Sequence, residues 1–237
     1  MQKEQKNIKL NDHFNKKDTE KYIKSYMFIK GFAVAKNLNQ TLISLSLARR
    51  LHEGQYRKDG LPYFVHPLKV CSTLINYGID DDTILSAALL HDILEDCSDQ
   101  LPLKDQELII EYHLSPDILD IILLLTKKSG LNDYELSIYF QKIEKNSRAA
   151  LIKLSDRLHN STNLYTFSFE RMRKYIKETD DFIIPMASYC TNYYPQYTNE
   201  FAIFKANITS LNTSMRIMLD KLESHQDVKG NSTPNTP

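Results

Sequence analysis

Ala87-Ala88-Leu89-Leu90-His91-Asp92-Ile93-Leu94-Glu95-Asp96 decides how the chain is read. An apolar approach is followed by four ionisable side chains within six residues. Residues four apart share a helix face, so a helix here pairs His91 with Glu95 and Asp92 with Asp96 along one polar edge. The same helix, predicted over residues 81 to 96, buries Ile84, Ala87, Ala88, Leu90 and Leu94. An edge of this kind in water needs no ligand. Four ionisable groups against so apolar a background, however, are costly to bury without a charged partner. A divalent metal is the natural occupant, because imidazole nitrogen and carboxylate oxygen both ligate one.

Outward from this stretch the pattern stays helical. Periodic apolar positions predict helices over about 22–36, 42–53, 66–77, 105–113, 115–128, 133–145, 146–164, 169–191 with a break near Pro185, and 197–222. Asp80-Asp81-Asp82 supplies an N-cap and an acidic first turn to the central helix. Ser115-Pro116 opens another. Gly54, Gly60 and Pro62 mark residues 54–63 as a loop. No internal repeat and no strand pattern is visible. The expectation is an all-α bundle: a polar N-terminal arm over 1–20, one helical domain over 21–222, and a polar tail over 223–237.

Bulk properties narrow the function. The 237 residues carry 42% hydrophobic and 25% charged side chains, and 30 basic residues balance 30 acidic ones. Zero net charge argues against sequence-independent nucleic-acid binding, which needs a basic surface. It leaves room for a local basic pocket. With only 6 glycines, the composition suits helices better than strands and turns. The three cysteines, Cys71, Cys97 and Cys190, form no CxxC pair, so neither a zinc ribbon nor a disulfide framework is expected. No signal peptide and no apolar run of membrane-spanning length is seen, and a cytoplasmic setting is the expectation. Oligomeric state is not readable.

His91 and Asp92 alone would hold a metal weakly. His66 opens a helix directly after the loop and is placed to face what the loop encloses. On the Leu-rich stretch 151–160, Lys153, Asp156 and Asn160 share a face at spacings of three and four. Taken singly, Asp156 is more often half of a surface Asp–Arg pair, and His66 a capping or core histidine.

Three stretches in order, HEGQYRKDGLPYFVHP (52–67), DDTILSAALLHDILED (81–96) and LIKLSDRLHN (151–160), resemble the HD-domain phosphohydrolases. They are most similar to the hydrolase domain of the RelA/SpoT-type alarmone enzymes. The resemblance implies a metal centre of His66, His91, Asp92 and Asp156, typically holding Mn²⁺. It implies that Glu95 and Asp96 orient and activate water, and that Arg57, Lys58 and Asn160 bind the nucleotide. Lys153, on the Asp156 face, joins them as a substrate-binding candidate. Two His and two Asp suit Mn²⁺ and also admit Fe²⁺ or Zn²⁺. The implied reaction is hydrolysis of the 3′-pyrophosphate of ppGpp or pppGpp by a hydrolase-only chain. The loop departs from the family's usual RKSGEP at Asp59 and Leu61, and Ser161-Thr162-Asn163 stands where longer members have Met-Arg-Thr. These departures keep open an adenosine alarmone or the 2′-phosphate of NADPH as substrate. A catalytically silent nucleotide sensor is a third reading, against which the intact Glu95-Asp96 pair speaks.

Overall fold

The computed structural model describes residues 16–97, 112–162 and 167–230. Among them the chain is helical: α1 (Lys16–Lys36), α2 (Asn39–Leu51), α3 (Val65–Asn76), α4 (Asp82–Leu90), α5 (Ile93–Asp96), α6 (Pro116–Leu125), α7 (Asp133–Glu144), α8 (Ser147–Ser161), α9 (Phe169–Glu178), a π-turn (Thr179–Ile183), α10 (Ile184–Tyr193) and α11 (Thr198–Gly230). One isolated antiparallel bridge, Tyr56 to Pro62, closes the loop between α2 and α3. The expected helix over 105–113 lies outside the described residues apart from its last two positions. Leu164 and Asn163 also lie outside them, as do most of the N-terminal arm and the end of the tail. Helix α1 begins at Lys16 and α11 is helical to Gly230, so both reach into segments expected to be polar extensions.

The ends of the helices are set by local chemistry. Asn37 takes a left-handed φ of 56° after α1, and Gly78 a φ of 95° after α3. Asn132 and Glu135 form a reciprocal capping box on α7. Asn146 caps α8 by accepting a 3.0 Å bond from Ala149 N. The long helix expected over 169–191 is interrupted by the π-turn, which ends just ahead of Pro185. Proline cannot donate its amide and its ring crowds the carbonyl four residues back, so the preceding turn widens.

The continuous helix expected over 81–96 is not formed. Helix α4 stops at Leu90, and α5 starts again at Ile93. The carbonyl of Ala88, which an unbroken helix offers to the amide of Asp92, is engaged 2.9 Å away by the imidazole Nδ1 of His91. The next turn is rebuilt on Asp92 O, which accepts from Glu95 N at 3.1 Å and Asp96 N at 2.9 Å. The histidine thus competes with the backbone for its own helix.

Helices α3, α4 and α8 pack on one another at the centre. Helices α1 and α2 cover one side of this trio, α6 and α7 another, and α10 and α11 a third. Leu68, Leu74, Ile84, Leu85, Leu89, Leu90, Ile93, Leu151 and Leu154 are fully or almost fully buried between them. The three elements that carry His66, His91-Asp92 and Asp156 are therefore well buried, and the polar groups on them are held by the packing around them.

Candidate metal centre and substrate cleft

His66 lies in the first turn of α3 and is 2% exposed; His91 ends α4 and is 4% exposed. Their Nε2 atoms are 3.2 Å apart. Asp92 sends Oδ2 to within 3.1 Å of His66 Nε2 and Oδ1 to within 3.1 Å of His91 Nε2. Asp156 of α8 adds Oδ1, 3.3 Å from His66 Nε2 and 3.9 Å from His91 Nε2. Neighbours on a regular helix diverge by about 100°. Here, across the break after Leu90, His91 Nε2 and Asp92 Oδ1 still come within 3.1 Å of each other.

The protonation pattern suits a cation. Ala88 O can only accept, so His91 Nδ1 carries a proton and Nε2 keeps its lone pair for the cluster. His66 Nδ1 lies 2.8 Å from His159 Nδ1 on its far side. Burial, then the nearby charges of His66 and Arg57, push His159 down to about 3, so it is a neutral partner. Burial works against ionised Asp92, yet His91 and His66 hold its carboxyl well below the usual range. Asp156 is held low in the same way by Lys153 and His66. The same two carboxylates raise His91 to about 10 against the opposing effect of burial, so the point between them favours positive charge. Imidazole nitrogens and carboxylate oxygens are donors that suit a divalent ion; Asp156 stands outside the tightest group of them, with Oδ2 held 3.2 Å from Lys153 Nζ. His66, His91 and Asp92 offer ligand atoms all within 4.8 Å of one another.

Beside the cluster opens a cleft of about 660 Å³. It is lined by Arg57, Lys58, Lys127, Lys153, Arg171 and Lys174 together with Glu95, Asp96 and Asn160. Glu95 Oε1 accepts from Lys127 N at 2.5 Å. Partial burial raises its pKa, with the Lys127 amide pulling the other way. Asp96 Oδ2 accepts a short hydrogen bond from the Tyr63 hydroxyl, which also reaches Asp92 Oδ2 at 3.0 Å. Burial, reinforced by Asp92 and Asp96, drives that phenol far above its ordinary value, so it remains a donor.

Arg57 donates Nη2 to Asn160 Oδ1 at 3.2 Å, while its Nη1 is buried with no hydrogen-bond partner. Asn160 in turn donates to Asp156 Oδ1 at 2.5 Å. Lys153 lines the cleft too, but its ammonium is engaged 3.2 Å from Asp156 Oδ2. Asp59, one of the departures from the family pattern, turns inward on its own loop: Oδ1 accepts from Leu61 N at 3.0 Å. Sequence reasoning missed Tyr63 and His159, although both stand inside the quoted motifs. It also missed Lys127, which has no motif around it. Arg171, Lys174 and Tyr175, spaced by three and four on α9, formed a readable basic and aromatic stripe.

The family model described as HD domain matches residues 44–188. The chain belongs to the HD domain family. Among its curated relatives, the guanosine-3′,5′-bis(diphosphate) 3′-pyrophosphohydrolase of Haemophilus influenzae is 34% identical over 147 residues, 60% of this chain and 21% of that protein. The enzyme of the same name from Borreliella burgdorferi is 32% identical over 152 residues, 61% of this chain and 22% of its own length. The GTP pyrophosphokinase of Streptomyces coelicolor is 32% identical over 162 residues, 63% of this chain and 18% of that protein. The match thus spans about a fifth of each relative. A solved structure of a metazoan ortholog of SpoT, described as hydrolysing ppGpp, superposes with a TM-score of 0.52 at 22% identity, over 75% of this chain and 93% of its own. That likeness bears on the fold, which is the all-α HD domain expected from the sequence. Among the described residues no helix is long and apolar enough to cross a membrane.

Proposed function

We propose that this HD domain hydrolyses the 3′-pyrophosphate of a guanosine alarmone, releasing GDP from ppGpp or GTP from pppGpp together with pyrophosphate. The observation that carries the reading is the meeting of His66, His91, Asp92 and Asp156 at the floor of a cleft walled by cations and by Glu95 and Asp96. His66, His91, Asp92 and Asp156 would hold Mn²⁺. When bound, such an ion supplies a lowered water pKa and a shield for phosphate charge. Glu95, whose amide contact engages Oε1 alone, takes the proton of the attacking water as its oxygen bonds to phosphorus and the 3′-oxygen–phosphorus bond breaks, the freed 3′-oxygen taking up a proton from solvent. Asp96 orients that water. Arg57 and Lys58 both line the cleft and bind the phosphates, Arg57 through its guanidinium fork and Lys58 as a point charge. Asn160, fixed between Arg57 and Asp156, meets the nucleoside. Lys153 meets the phosphate side of the substrate while holding Asp156 in place.

The three cysteines are buried and unpaired, in keeping with a cytoplasmic setting. The test is direct: purified protein with Mn²⁺ and ppGpp should yield GDP and pyrophosphate in equal amounts. A folded, Mn²⁺-loaded protein that leaves ppGpp intact would overturn the reading. One observation favours a wider substrate range. Leu61 is exposed on the loop where the family pattern has an acid, so the same assay should include an adenosine alarmone and NADPH.

A further inference from the structure

The segment from His52 to Pro67 contributes Arg57, Lys58 and His66 to the proposed chemistry, and leaves three of its residues unaccounted for. They sit together behind the site. The Tyr63 hydroxyl bridges Asp92 Oδ2, at 3.0 Å, and Asp96 Oδ2. The Tyr63 ring stacks on His52 with centroids 4.8 Å apart and planes 24° apart. His52 Nδ1 lies 2.8 Å from Gln55 Oε1, and Gln55 Nε2 donates to the backbone carbonyl of Asp96 at 2.9 Å. Tyr63 N donates to Gln55 O at 2.8 Å and closes the loop on itself. Asp96 is therefore gripped at both its carboxylate and its carbonyl by a single braced loop, and the carboxylate grip is shared with Asp92.

We propose that Tyr63 is a positioning residue that couples the metal centre to the water-orienting carboxylate, with His52 and Gln55 as its brace. The proposal rests on the reading of Asp92 as a metal ligand and Asp96 as the residue that orients water. A phenol has one proton to give and two carboxylates within reach. A cation that takes up Asp92 leaves that proton to Asp96 and fixes its carboxylate toward the cleft. Without the hydroxyl, Asp92 loses an outer partner that orients it, and Asp96 loses its tether.

The test uses the full chain with Tyr63→Phe, which keeps the ring and its stacking on His52. Titration with Mn²⁺ alone by calorimetry should give a Kd weaker by roughly tenfold, the usual size of an outer-partner loss. At saturating Mn²⁺, kcat on ppGpp should fall about tenfold while KM stays within about twofold, with the unfolding midpoint of the metal-free protein unchanged. Gln55→Leu, which releases the Asp96 carbonyl and His52 Nδ1 but leaves the Tyr63 hydroxyl on Asp92, should lower kcat and leave the Mn²⁺ Kd alone. A Tyr63→Phe protein with wild-type Mn²⁺ affinity overturns the proposal, as does a wild-type protein that binds no Mn²⁺. Should wild type bind Mn²⁺ but leave ppGpp intact, the proposed activity fails by itself and the Mn²⁺ Kd of the variant decides the role of Tyr63.

Discussion

Glu95 and Asp96 are adjacent carboxylates with different surroundings, and the difference divides their work. Asp96 has an oxygen committed to a phenol; Glu95 has an oxygen on a backbone amide and a pKa lifted by burial. A general base is most effective when its pKa lies near the working pH, so burial makes Glu95 the better proton acceptor. Glu95→Gln should lower kcat by about 10²- to 10⁴-fold, the usual contribution of a general base, while the Mn²⁺ Kd stays at the wild-type value. Glu95 has to be ionised to act and its pKa is raised. The acid limb of kcat against pH should therefore fall at a higher pH than an ordinary glutamate gives, and Glu95→Gln should remove that limb. The four candidate ligands came from the resemblance that the three motifs carry, since residue type alone left His66 and Asp156 open; the fold brings their side chains close together. Tyr63 was not legible, because a tyrosine after a proline in a loop has no periodicity that says which way its hydroxyl points.

At the scale of elements, sequence periodicity located the helices and misjudged how their ends are satisfied. The acidic run Asp80-Asp81-Asp82 was expected to serve one helix. Asp81 does so, accepting from Ile84 N at 2.9 Å. Asp82 serves another helix: Oδ2 accepts from Gln40 N at 3.0 Å and Oδ1 from Thr41 N at 2.7 Å, capping α2, whose own N-cap Leu38 has no side chain to offer. No local pattern reveals a cap lent from 41 residues away. Asp82→Ala should lower stability by about 2 kcal/mol, the upper end for a lost cap, since two amides are orphaned. Asn132→Ala, which removes a local capping box, should cost about 1 kcal/mol. Chemical denaturation of the two variants side by side checks the ranking. A second joint lies where α9 meets the π-turn. Glu178 binds Arg157 of α8 through a short contact and Lys127 Nζ at 2.6 Å. Burial opposes its charge, but Arg157 and Lys127 hold its pKa below the usual value. A depressed carboxyl adds stability that is present above its unfolded pKa and lost as pH falls through the folded one. Glu178→Gln should cost about 3 kcal/mol near neutrality, because buried Arg157 is left uncompensated. Its unfolding midpoint should converge with wild type as pH drops below the ordinary glutamate range; a gap that persists in acid would assign the loss to packing instead.

Across the whole molecule, the break that defeats the central helix is also what makes the site. A regular helix over 81–96 would have aimed His91 and Asp92 about 100° apart and left His66 and Asp156 to face only one of them. Interrupted at Leu90, it presents both beside His66 in the first turn of α3 and Asp156 within α8. The all-α fold was readable from periodicity because it depends on many apolar positions, each needing only to be roughly right. The site depends on long-range approach of side chains from three helices and on contacts such as His91 Nδ1 to Ala88 O, neither of which helix propensity registers. It follows that a bound cation ties three separately folded elements together and should act on global stability. Asp92 and Asp156 bring two carboxylates beside two buried imidazoles, where a cation balances their charge. Mn²⁺ at 100 times its Kd adds about 2.7 kcal/mol to the folded state. For a domain of this size, at about 2–4 °C per kcal/mol, the unfolding midpoint should rise by roughly 5 to 11 °C. A chelator should reverse the rise. Asp156→Ala should reduce it even at high Mn²⁺, because α8 is then no longer tied to α3 and α4. A midpoint that ignores Mn²⁺ in wild type would mean that the four donors hold no ion, and the proposed hydrolysis would lose its centre.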